Sequence, residues 1–235
     1  MTVVAGIDLG TSGVKVVLLD DDETLLASAA RRLEVESPEP GWSEQHPDRW
    51  WEATAACFDE LQATTPEALA ATAGIGLSGQ MLGAVLLDAA DRPVRPAILW
   101  NDQRAEAACR LLAERVPDIG RRTNGAPDPG LTAPKLLWLA AHEPEALERA
   151  RWLVLPKDYV RLVLTGERMS EPSDAGGTML MDCATSRWDA ELCEAAGWST
   201  DKLPPLVASA APAGGLRAEL AARWGMRTGL KVAAG

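Results

Sequence analysis

Residues 3–20 constrain this chain more than any other stretch. An apolar run at residues 3–7 leads into a carboxylate, Asp8, and then into a small hydroxyl-bearing turn, Gly10-Thr11-Ser12-Gly13. A second apolar run, residues 14–19, leaves the turn with Lys15 inside it. Two such runs about a tight turn predict an antiparallel hairpin. Gly10 and Gly13 permit positive φ or close approach of backbone to a ligand. Exposed amides, the hydroxyls of Thr11 and Ser12, and Lys15 could hold a phosphate, while Asp8 could hold a metal ion bridging phosphates. An ordinary glycine-rich hairpin has the same residues, so this stretch alone leaves both readings open.

The rest of the chain predicts an α/β fold. Residues 20–23, Asp20-Asp21-Asp22-Glu23, lack the alternating ligands and central glycine of a calcium loop and read as a solvated turn. Leu33 and Val35 alternate with charged residues, extending a third strand over 24–36 and completing a meander. Pro47 opens a helix running to about residue 61. Trp50, Thr54, Cys57 and Leu61 lie beside a stripe of Trp51, Ala55, Phe58 and Gln62, a face broad enough to pack on a sheet. Apolar runs at 73–77, 84–87 and 96–100 read as strands of one mixed sheet. Polar groups gather at their ends: Gln80 and Met81 close one run, and Trp100, Asn101, Asp102 and Arg104 close another. Strand ends are where ligands meet such sheets. Asp102 is read either as a ligand contact or as a local cap for a helix starting near Gln103.

Further helices are expected at 103–115 (Ala108, Leu111 and Leu112 inward), 132–141, 144–149, 159–164, 188–196 and 219–224. Between the first two lies a glycine- and proline-rich loop, residues 124–130, long enough to line a pocket. Residues 152–156 read as a strand, 200–216 as surface chain, and 230–235 as the start of another strand. Asp174 reads as a turn residue.

Composition excludes several classes. The formal charge of −11, without a basic tract, makes a poor nucleic-acid binder. No run reaches membrane-span length, and the first residues enter a strand at once without a secretory pattern. The four cysteines, at 57, 109, 183 and 193, form no CxxC pair, and only His46 and His142 are available. Buried thiols in a reducing cytoplasm are therefore expected rather than a disulfide or zinc scaffold. Nine tryptophans stand against one phenylalanine and one tyrosine, so tryptophan is expected to fill the core.

Several separate motifs share one pattern. They are residues 6–15, Trp42-Ser43-Glu44-Gln45, Gly79-Gln80-Met81, the stretch from Ala97 to Arg104, Thr132-Ala133-Pro134-Lys135-Leu136-Leu137-Trp138, Leu155-Pro156-Lys157-Asp158-Tyr159 and Ser173-Asp174-Ala175-Gly176-Gly177-Thr178. In this order and spacing, the chain resembles the amino-terminal domain of the FGGY carbohydrate kinases, most nearly the bacterial xylulose kinases. The resemblance implies a ribonuclease-H-like mixed sheet of the actin/hexokinase superfamily, with flanking helices, as one domain of a two-domain kinase. It implies sugar bound mostly by residues 1–235 and ATP mostly by a second domain absent from this chain. Positions matching Asp8 help place Mg2+; those matching Gly10, Thr11, Ser12 and Lys15 lie near the transferred phosphates. Those matching Gln80, Met81, Trp100, Asn101 and Asp102 form or support the sugar pocket. The family's general base is an aspartate in a turn directly after the strand that here reaches Gly235. This chain alone is therefore expected not to phosphorylate sugar.

The resemblance implies that a complete protein would convert D-xylulose to D-xylulose 5-phosphate in the cytoplasm, with ATP and Mg2+ as cofactors, as a possible homodimer. One departure concerns substrate. Xylulose kinases commonly carry a sugar-contacting histidine after the Gln-Met pair, where this chain has Leu82, which cannot donate a hydrogen bond to a hydroxyl. A kinase for ribulose, a related ketose or a polyol stays open, as does a non-catalytic sugar- or nucleotide-binding module. An actin- or Hsp70-type switch draws support from the opening motif alone.

Overall fold

The computed structural model describes residues 2–123 and 125–235. The opening hairpin forms as expected. Strands β1 (Val3–Leu9) and β2 (Gly13–Asp20) pair antiparallel with Asp8 opposite Lys15. Alternate residues, Val3, Ala5, Ile7 and Leu9 with Val14, Val16 and Leu18, are buried, as period-2 patterning requires of a half-covered sheet. Strand β3 (Leu25–Arg32) continues the meander. Asp20 Oδ1 accepts from the amides of Asp22 and Thr24, fixing the intervening turn as a solvated one.

The third strand is shorter than its alternation suggests. After Arg32 the chain leaves the ladder: Gln45 Nε2 donates to the Glu34 carbonyl, and Glu36 bridges to Glu44. Val35 is consequently exposed. Next come β4 (Glu44–Gln45), α1 (Pro47–Thr64) and α2 (Pro66–Ala70). Trp50, Thr54, Cys57, Phe58 and Leu61 of α1 are buried, and Phe58 stacks on Trp224 with ring centroids 4.4 Å apart. Strand β5 (Thr72–Gly79) then pairs parallel with β1.

The following short strands depart from expectation. Strands β6 (Val85–Leu87) and β7 (Ala97–Ile98) do not join the main sheet; β7 pairs with β4. They pass between two apolar cores. Val85, Leu87, Ala97 and Leu99 face the core under the sheet, whereas Leu86 and Ile98 face a second core. Continuous apolarity here reports burial on both faces rather than membership of the central sheet.

That second core is built on α3 (Glu106–Arg115), α4 (Ile119–Arg122), α5 (Thr132–His142) and α6 (Pro144–Arg149). Helix α3 starts later than expected because residues 101–105 wrap around the buried Asp102, and Leu111 is exposed rather than inward. Asn124, the first residue of the expected pocket-lining loop, lies outside the described residues. Strand β8 (Trp152–Val154) pairs with β6 and leads into α7 (Pro156–Thr165), closed by left-handed Gly166. Helix α8 (Pro172–Ala175) and the ladder of β9 (Met181–Asp182) with β10 (Arg187–Trp188) follow. The α9 helix (Ala190–Ala195) is capped by Asp189, so Trp188 lies before it rather than in it.

Residues 200–216 are not merely surface chain. Pro212–Gly215 forms β11, an antiparallel edge strand that buries Ala213. An edge tolerates proline, and the small residues carry too little apolar patterning to reveal a strand. Helix α10 (Ala218–Trp224) and β12 (Lys231–Ala233) complete the fold. The six-stranded order is β11-β12-β5-β1-β2-β3, with β1, β5 and β12 mutually parallel. This mixed sheet with flanking helices is the arrangement the resemblance implies. Its parallel strands discharge the turn at 10–13, the loop at 80–84 and residues 234–235 at one edge.

Candidate active site

At that edge, Gly79 lets two elements meet: a Cβ there would lie 3.1 Å from the Lys157 side chain and 3.3 Å from that of Leu9. The Gln80 amide donates to the Leu9 carbonyl at 2.6 Å, fixing the loop after β5 onto the end of β1. The predicted phosphate turn and the predicted sugar residues are then joined by one chain of hydrogen bonds. Trp100 Nε1 donates to Thr11 Oγ1 at 3.0 Å, and Thr11 Oγ1 donates to Gln80 Oε1 at 3.1 Å. Gln80 Nε2 donates to Gln45 Oε1 at 2.9 Å, which also accepts from Trp50 Nε1 at 2.9 Å. Gln45 Nε2 closes the loop by donating to the Thr11 carbonyl at 2.8 Å. Gln45 belongs to a motif in the sequence but was not a predicted site residue, because its role is to satisfy neighbours rather than to face solvent.

The exposed groups above this network are Met81 (50%) and Trp100 (43%), with Asn101 and Ser12 also exposed. Asp8 and Lys15 are exposed too, in register with Ser78 across β2, β1 and β5. Gly10 donates its amide to the Gly13 carbonyl at 2.9 Å, which holds the turn tight. Among the described residues no three carboxylate, histidine or thiol groups cluster as a metal cage. A lone exposed carboxylate suits Mg2+, which keeps its waters and takes its other ligands from phosphates.

Asp102 differs from its companions. It is fully buried, with Oδ2 accepting from the Ser43 amide at 2.6 Å and both oxygens taken by Arg104. It supports the Trp100–Asn101 turn from beneath instead of opening to it. Arg104 is itself buried, bonded to Glu44 at 2.6 Å and lying 3.6 Å over the Trp42 ring. Arg95 pairs with the same Glu44 and with Glu143.

A second ionic group lies beside the end of β12. Lys157 Nζ is 3.0 Å from Asp158, 3.1 Å from Glu171 and 3.5 Å from Asp174. Arg161 pairs with Asp158 at 2.9 Å and donates to the Ala234 carbonyl. Burial opposes the charge on Lys157, but the three carboxylates raise its pKa above the ordinary lysine value. Glu171 is buried too, yet hydrogen bonds from Ser209 and Ser173, with the Lys157 charge, pull it down to about 2. Asp174 is left over: both oxygens are buried without a hydrogen-bond donor, and burial pushes it up to about 7. It is more than the turn residue its sequence setting suggests.

With the folded pKa above the unfolded value, the native state binds the extra proton, so the Asp174 contribution to stability falls as pH rises from about 4 to about 7. Asp174→Asn is expected to stabilise the chain by about 2–4 kcal/mol at pH 8 and to change little at pH 4. Urea unfolding at both pH values checks this; equal effects at the two would contradict it.

Beside this edge lies a cleft of about 670 Å3, bordered by Leu131, Gly177, Ser173 and Ser209. Leu82 packs on one of its lining residues: a Cβ on Gly177 would fall 2.4 Å from Leu82 Cδ2. The four cysteines are free, and no described helix is long and apolar enough to cross a membrane.

The chain is similar to known proteins in sequence and fold. The xylulose kinase of Escherichia coli (strain K12) is 46% identical over 230 residues, 98% of this chain and 47% of that protein. That of Bacillus subtilis (strain 168) is 39% identical over 236 residues, 100% of this chain and 47% of that protein. A crystal structure of a "xyloylose kinase" from Brucella ovis superposes with a TM-score of 0.95 at 46% identity, covering 99% of this chain and 48% of that one. The chain thus spans about half the length of the curated relatives it matches. The model of the FGGY family of carbohydrate kinases, N-terminal domain, matches residues 3–235, and the chain belongs to that family.

Proposed function

We propose that residues 1–235 form the sugar-binding part of an ATP-dependent ketopentose kinase, whose complete form phosphorylates D-xylulose at its 5-hydroxyl. One observation carries this reading. The hydrogen-bond chain from Trp100 through Thr11 to Gln80 and Gln45 joins the turn at 10–13 and the loop at 80–84 into a single edge. Phosphoryl transfer is mostly a matter of placing acceptor and phosphate in line and neutralising charge. Trp100 and Met81 offer apolar surface to the carbon skeleton of a sugar, and Asn101 offers an amide to its hydroxyls. Thr11, Ser12 and Lys15 face the phosphates, and Asp8 would hold Mg2+. Bound Mg2+ would neutralise charge on the phosphate oxygens. The base that accepts the hydroxyl proton belongs, by the resemblance, just beyond Gly235, with the ATP-binding domain after it.

Leu82 bears on the substrate. Its backbone has φ +67, a region a leucine rarely adopts, and its side chain packs against Gly177 at the cleft. With no donor at this position, a sugar hydroxyl here takes water as its partner. Initial rates over D-xylulose, D-ribulose and glycerol, measured on the kinase carrying this chain, test the assignment. D-xylulose is expected to give the highest kcat/KM, and Leu82→His to lower its KM about three- to tenfold, the worth of one neutral hydrogen bond. A higher kcat/KM for D-ribulose or glycerol would overturn the xylulose assignment.

A further inference from the structure

Lys135 is a lysine with no exposed surface, on the second turn of α5. Its ammonium donates to two main-chain carbonyls, Leu82 at 2.8 Å and Gly130 at 2.6 Å. Thr132, one turn earlier, donates its hydroxyl to the same Leu82 carbonyl at 3.1 Å. Each carbonyl belongs to a loop that carries one wall of the candidate sugar site. Leu82 follows Met81 directly and sits in left-handed backbone. Gly130 lies flat against Trp100, since a Cβ there would be 2.2 Å from the Trp100 carbonyl oxygen. Asp128 holds the Gly130 amide at 2.8 Å.

We propose that Lys135 is a positioning residue of the sugar site, clamping the Met81–Leu82 loop to the Gly130 loop and so setting the gap between Met81 and Trp100. Without the clamp, nothing else in the hydrogen-bond pattern of the described residues ties the Leu82 carbonyl except the Thr132 hydroxyl. A lysine suits the task because one ammonium has three donors and can serve both carbonyls at once. The charged groups facing it are Asp102 and Asp128, which favour its charge, and Arg104, which opposes it. Burial pushes Lys135 down to about 7. The neutral amine still keeps two N–H donors, so the clamp survives deprotonation in weakened form.

The link to sugar rests on the function proposed above, whereas the clamp itself does not, and the test separates them. Hydrogen exchange is followed by mass spectrometry in the 235-residue chain, comparing wild type with Lys135→Met and with the milder Thr132→Val. Exchange over residues 80–84 is expected to rise about tenfold in Lys135→Met and less in Thr132→Val, with residues 50–61 of α1 unchanged. In the active kinase, Lys135→Met is expected to raise the sugar KM about tenfold and leave the ATP KM within twofold. Unchanged exchange over 80–84 in both variants would overturn the clamp, as would a uniform rise across the chain. Raised loop exchange with an unchanged sugar KM would overturn its role in the sugar site. A wild-type protein with raised loop exchange in the variants but no ketose kinase activity would uphold the clamp and remove the function proposed above.

Discussion

Arg104→Ala is expected to lower the free energy of unfolding by about 3–5 kcal/mol, the range for breaking a buried ion pair on one side. The Arg104 side chain has no exposed surface and satisfies Asp102 at 2.8 Å and Glu44 at 2.6 Å, both nearly inaccessible. Truncation leaves Asp102 with the main-chain amides of Ser43 and residue 104 but without its paired guanidinium, and removes the planar group that lies over Trp42 at 3.6 Å and Trp138 at 5.0 Å. Glu44 keeps Arg95, so Asp102 bears most of the loss. Urea unfolding followed by tryptophan fluorescence measures the effect. Arg223→Ala provides the contrast: that residue pairs with Asp59 at 2.6 Å, but the two are 50% and 42% exposed, and a change within about 1 kcal/mol is expected. A loss below about 1 kcal/mol for Arg104→Ala would show that the Trp100–Asn101 turn does not depend on the ion pairs beneath it.

The second large effect concerns activity. Asp8→Asn in the kinase carrying this chain is expected to reduce kcat by at least about 100-fold, the scale of losing one preorganised electrostatic contact to the transferring group. The sugar KM should stay within about threefold, because the function proposed above assigns Asp8 to Mg2+ and the phosphates and assigns Met81 and Trp100 to the sugar. Stability should move by less than about 0.5 kcal/mol, since the Asp8 side chain is exposed and asparagine is isosteric with it. Steady-state kinetics with varied sugar and ATP checks the first two, and thermal unfolding the third. A kcat within fivefold of wild type would make Asp8 a solvated strand residue.

The sequence was readable where a local pattern and its tertiary setting agree. Residues 3–20 alternate cleanly and fold as the hairpin they suggest. Pro47 and the stripe of Trp50, Thr54, Cys57 and Leu61 likewise place α1 on the sheet. Reading failed where a residue's partner is distant in sequence and leaves no periodic trace. Gln45 is 34 residues from Thr11 and 35 from Gln80, and only the fold unites them. Lys135 is 53 residues from Leu82, and only the fold brings that carbonyl to its ammonium. Asp102 belongs to a motif rich in ligand-type residues, yet Arg104, two positions on, takes its charge inward. The small residues of β11 have no large side chains to alternate, so that edge strand was invisible.

By the function proposed above, the turn at Gly10-Thr11-Ser12-Gly13 and the loop at Gln80-Met81 form one phosphoryl-transfer site for a ketose. Phosphorus-31 NMR of the kinase carrying this chain, incubated with ATP, Mg2+ and D-xylulose, tests it most directly. The predicted result is a new phosphomonoester resonance coupled to a CH2 group, the C5 of the sugar, appearing in step with ADP. Release of inorganic phosphate alone, or no sugar-dependent loss of ATP, would contradict the account.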